Sequence, residues 1–347
     1  MKNLRDVPSP DSQAYDRARA ALHESMTGPA TVVRPKRWFT WPRFGGAVVG
    51  AAAVATAIVM GSAGGGVPSG GDPVAAPAPA PAPKTVESPL VKLASQVKAA
   101  AAGAPTGDAS LVVTTKTAPD GSPYVIYTVY SDRGDYVHGD SVQGLADSAR
   151  KGQNQATEYD ANVLAAARLA ATGDLEKARF SMITAAGNGY GLGLSDAEAD
   201  KIWKENYEKT SAELGKIGKT MPPAKPRPTG KELEVRLNNT LWHNSTYALF
   251  MGAANAEVRE GVLKLLATLQ DVSIAKTAVD GQPAMTLTAG KALLPSSDGS
   301  HVVTVNADNG LPIRNEFVPT PGSAEKGSAA SYKSSRINYN DLLAGKI

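Results

Sequence analysis

From residue 89 onward the apolar positions of this chain switch between two spacings. Leu90, Leu93 and Val97 share one face at helical spacing and predict a helix over Leu90–Ala102. Ser110–Thr117 and Tyr124–Tyr130 are instead rich in β-branched and aromatic residues. Pro119-Asp120-Gly121 between them is turn chemistry, so the pair reads as a β-hairpin. Residues 133–158 carry no clear period. Two helices follow, Tyr159–Ala171 and Asp174–Ala186, broken at Thr172-Gly173 and paired as a helical hairpin. Ser195-Asp-Ala-Glu198 is a capping box that opens a charged helix running to about Ile217. Met221–Pro228 breaks the chain, Thr229-Gly-Lys-Glu232 caps again, and Leu233, Leu237 and Leu241 begin the next apolar stripe. Asn255 caps a helix whose Val258, Val262, Leu265, Leu266 and Leu269 form a broad buried face.

The last part is β. Val272–Val279 and Ala284–Ala289 flank Asp280-Gly281, and His301–Ala307 and Leu311–Val318 flank Asp308-Asn309-Gly310. Asp-Gly and Asn-Gly are strong hairpin signals because both tolerate positive φ. A final strand is expected at Ser331–Tyr339. Strands grouped in hairpins, with helices segregated between them, predict an α+β domain over 89–347: an antiparallel sheet packed against several helices.

Upstream the pattern changes. Phe44–Ala63 is a run of twenty residues without a charge, roughly 30 Å as a helix, which matches a hydrocarbon core. Lys36, Arg37 and Arg43 precede it, and Trp38, Phe39 and Trp41 sit where an interfacial aromatic belt would. Residues 1–43 hold eight Lys/Arg against four acids, so the basic excess lies before the run. Positive residues stay inside, which orients the N-terminus to the cytoplasm and residues 64–347 outside. The run holds seven Ala and four Gly, so its hydrophobicity is modest, and a cleaved export signal or a buried soluble helix are the alternatives.

Gly64–Ser88 is Gly/Pro/Ala-rich and cannot bury apolar area. Its Pro-Ala repeat at Pro77–Pro83 is polyproline-II-like, so the segment reaches about 75 Å if extended, a stalk or an interdomain linker. Inside the N-terminal tail, Tyr15, Ala18, Leu22 and Met26 line one face of a short helix starting at Asp11 or Ser12. A helix this short needs a partner or a membrane surface to persist. It is a candidate docking helix, or else an inert juxtamembrane tail.

Chemistry is sparse. The chain has no Cys, which excludes disulfides, thiolate zinc sites and a Cys nucleophile. No Gly-x-Ser-x-Gly elbow or His-Glu-x-x-His occurs, and His23, His138, His243 and His301 lack ligand spacing. Gly187-Asn-Gly-Tyr-Gly-Leu-Gly193 is Gly-rich, but no Gly-Lys-Ser/Thr follows it, so it is not a phosphate loop. No catalytic, cofactor or metal residues are assigned. No basic stripe marks the C-terminal part for nucleic acid. Asn238-Asn-Thr and Asn244-Ser-Thr match the glycosylation acceptor pattern, a short one that chance often produces.

The tail motif Tyr15-Asp-Arg-Ala-Arg-Ala-Ala-Leu22, one Ala/Val/Gly span, a linker, then Arg259-Glu-Gly-Val-Leu-Lys-Leu-Leu and Asp308-Asn-Gly-Leu-Pro-Ile-Arg-Asn-Glu-Phe317 form a combination. It resembles a largely uncharacterised family of actinobacterial single-span membrane proteins often encoded beside extracytoplasmic-function sigma factors. The match is closest over residues 255–318. The resemblance implies an anti-sigma-like regulator whose tail holds a sigma factor, although the zinc-binding His…Cys-x-x-Cys tail of better-known anti-sigma proteins is absent. The expectation is a single-pass membrane protein with a sensing or binding domain outside. The alternatives are an envelope carrier for a lipid or other ligand and an exported hydrolase.

Overall fold

The computed structural model describes residues 88–103, 106–117 and 121–347. The tail helix (Tyr15, Ala18, Leu22, Met26), the interface residues (Lys36, Arg37, Trp38, Phe39, Trp41, Arg43), the apolar run and the linker up to residue 87 lie outside them. No helix among the described residues is long and apolar enough to cross a membrane.

The described residues form an α+β domain. Eight strands, β1 (Ala109–Thr117), β2 (Pro123–Ser131), β3 (Tyr136–Gly139), β4 (Val272–Val279), β5 (Gln282–Ala289), β6 (Gly299–Asn306), β7 (Pro312–Pro319) and β8 (Ser328–Ile337), make one sheet. Its order is β3-β2-β1-β8-β7-β6-β5-β4. Every neighbouring pair is antiparallel. The chain therefore walks outward from β1 to one edge, leaves the sheet, re-enters at the opposite edge, and meanders back until β8 pairs with β1. The eight helices are α1 (Pro89–Ala100), α2 (Val142–Arg150), α3 (Glu158–Thr172), α4 (Leu175–Ile183), α5 (Asp196–Lys216), α6 (Gly230–Met251), α7 (Ala256–Leu266) and α8 (Tyr339–Ala344). Six of them lie between β3 and β4, where the chain crosses from edge to edge.

Burial explains why both faces are apolar at period two. On one face, Met285, Leu287 and Ala289 of β5 and Val303 and Val305 of β6 meet Trp242, Leu249, Val262, Leu266 and the apolar faces of α1, α3 and α4. On the other, Ala109, Val129 and Val137 are covered by Leu145, Ala146 and Ala149 of α2 and Leu342 of α8. Gly261 lets α7 cross α3 closely: a Cβ there would overlap the carbonyl oxygen of Ala167. Asp280 (φ 51°) and Gly281 (φ 77°) both take the positive φ of a tight hairpin turn.

Residues 133–158, which the sequence pattern left unassigned, hold β3 and α2, which Ser141 caps by accepting from the amide of Gly144 at 3.0 Å. Two expectations need correction. The last strand stops at Ile337, and a short α8 replaces its expected end. Thr229 stands at the N-cap of α6 but makes no capping bond. Gly230 at φ 53° turns the chain there, and Glu232 is taken by Arg236 at 2.8 Å instead of reaching back.

Candidate functional site

The Ser195 capping box forms as the sequence predicts: the amide of Glu198 donates to Ser195 Oγ, and the Ser195 amide donates to Glu198 Oε2 at 3.1 Å. It launches a helix of 21 residues in which only Ala199 is buried. Asp196, Asp200, Trp203 and Tyr207 recur at i, i+4, i+7 and i+11, so they share one face. After Gly218 (φ 70°) the chain returns along that face through Pro222, Pro223, Pro226 and Pro228. Tyr207 Oη donates to the carbonyl of Pro222 at 2.7 Å, and Trp203 Nε1 donates to that of Lys225 at 2.9 Å. These carbonyls are three residues apart, the repeat of a polyproline-II turn, so one aromatic face holds successive turns of the returning chain.

Arg227 closes the clasp. Its Nε donates to Asp200 Oδ1 at 2.7 Å and its Nη2 to Asp196 Oδ1 at 2.6 Å. The hydrogen bond to Asp200, followed by that to Asp196, raises the guanidinium above its already high range, so it stays charged. The Arg227 side chain is 8% exposed, whereas Asp196 and Asp200 are 95% and 65% exposed. Tyr190, from the Gly-rich loop, stacks on Trp203 with centroids 5.9 Å apart. Gly191 (φ 66°) sits directly on Ala199, where a Cβ would collide. The Gly-rich loop thus seats α5. Between α5 and the returning chain lies a cleft of about 460 Å³ lined by Asp196, Asp200, Trp203, Pro226, Arg227 and Thr229.

A second polar constellation is sealed in the core. Trp242 Nε1 donates to His301 Nδ1 at 2.7 Å, His301 Nε2 meets Asn315 Oδ1, and Asn315 bonds Tyr332 in turn. Burial, then the Asn315 bond opposing it, sets His301 down at about 4 and Tyr332 up at about 12. Nearby, Tyr247 Oη donates to Asp160 Oδ1 at 2.7 Å while the Thr157 amide and hydroxyl bond Asp160 Oδ2 at 2.8 and 2.7 Å. Burial first, and Asp160 after it, raises Tyr159 and Tyr247. The adjoining pocket of about 10 Å³ has room for one water at most. These networks fasten α6 to the sheet and α3 to α6.

A third cluster joins the β2–β3 turn to β8, α3 and the start of α7. Asp132 gathers Arg336, Arg168 at 3.5 Å and Asn255 at 2.9 Å. Arg259 donates to the carbonyls of Asn309 at 3.0 Å and Ala253 at 2.6 Å. Burial, then Arg336, lowers it to about 10. Its role in the stretch 255–318 is to pin α7 to the β6–β7 turn.

The sequence-singled residues fall as follows. His301 is core, while His243 stacks on it at 6.1 Å and burial lowers its pKa. Asn244, in the second glycosylation pattern, is buried on α6 and donates to the carbonyl of Met182 at 2.7 Å, so that site is closed to a glycan. Asn238 accepts from Arg179. No group of three metal-ligating side chains occurs among the described residues. The Asp196, Asp200, Trp203 and Arg227 constellation was not singled out from sequence. Its signals were the i, i+4, i+7 spacing on a charged helix and an Arg inside a Pro-rich break.

No family model, curated protein or solved structure matches the chain. Around the open volume stand the Arg227 guanidinium, the solvent-facing carboxylates of Asp196 and Asp200, and the Trp203 ring.

Proposed function

We propose that the chain is a single-pass membrane protein whose residues 89–347 bind a ligand outside the cytoplasm, while the tail helix docks a cytoplasmic partner, a sigma factor. The observation that carries the binding role is the 460 Å³ cleft on α5, within the size range of small-ligand sites. The basic flank Lys36, Arg37 and Arg43 before an uncharged twenty-residue run supports the placement. A lipid carrier would need an apolar chamber between sheet and helices. Trp242, Leu249, Met285 and Leu287 fill that space, which favours a surface ligand over an enclosed one.

Because the chain has no Cys, single cysteines report topology cleanly. In intact cells a membrane-impermeant maleimide should label Ser296→Cys and spare Ser9→Cys. Labelling of Ser9→Cys, or a mature N-terminus beyond residue 63, overturns the placement. Co-purification of the tail with no sigma factor overturns the relay.

A further inference from the structure

We draw no further inference here: the strongest candidate, the side-chain cluster of the buried Arg259 and its neighbour Arg336 beside the β6–β7 turn, belongs to the pin already described, since Arg259 donates to the carbonyls of Asn309 and Ala253 and Arg336 is held by Asp132.

Discussion

At the residue scale, the His301 proton is placed by its neighbours. An indole N–H only donates, so Trp242 makes Nδ1 the acceptor, and the one ring proton lies on Nε2 facing Asn315. Burial, which penalises the charged ring, is what holds the pKa near 4, and the Trp242 N–H occupying Nδ1 leaves a second proton no place there. The unfolded chain binds that proton below about 6.5, so His301 contributes stability in full above that pH and loses it as pH falls through about 4, roughly 3 kcal/mol in all. Urea midpoints should therefore drop steeply between pH 6.5 and 4, and His301→Gln should flatten this profile; an equally steep profile in the variant contradicts the assignment. Gly261→Ala makes a sharper point about packing. The added methyl meets the Ala167 carbonyl, and parting α3 from α7 should cost about 3 kcal/mol in urea denaturation. Neither effect was legible in the sequence: His301 stands at the start of a strand pattern, and Gly261 sits inside a helical one, with nothing nearby to signal a helix crossing.

Elements were more legible than the site, for a physical reason. Capping and turn chemistry are local, so Ser195, Asn255, Asp280-Gly281 and Asn309-Gly310 marked their boundaries directly. β3 is four residues long and was missed because so short a strand borrows its stability from β2 rather than from its own pattern. Thr229 misled because the capping signature does not register the φ 53° turn at Gly230. The α5 clasp was invisible because its halves, a charged helix and a Pro-rich break, each looked complete alone. Arg227 is what joins them. Arg227→Ala should free residues 219–229 and raise their hydrogen–deuterium exchange at least about tenfold, with the core of α3, α6 and α7 unchanged. Unchanged exchange in 219–229 would mean that Trp203 and Tyr207 hold the returning chain without the ion pairs.

At the scale of the whole domain, the feature that no local pattern could announce is the seam between β1 and β8. Ala109–Lys116 pairs with Ala330–Ile337, the two ends of the domain, and this single junction unites the three-stranded and five-stranded halves of the sheet. Arg336 reinforces it, reaching Asp132 and the carbonyl of Gly107. So distant a pairing carries a loop-closure entropy cost that must be met before the contact is gained. The seam is then the point on which cooperativity depends. A chain ending at Pro319 leaves β1 and β7 as open edges next to an uncovered core, and it should lose its sharp thermal transition and self-associate on size exclusion. A chain ending at Ile337 keeps the seam and removes only α8. It uncovers the pocket that holds the fully buried Leu342, a loss of about 3 kcal/mol, but should stay monomeric and melt in one step at lower temperature. If instead the Pro319 truncation melts as sharply as the full chain, the four strands β4–β7 with their helices are the autonomous unit, and β1–β3 with α2 are an attachment to it.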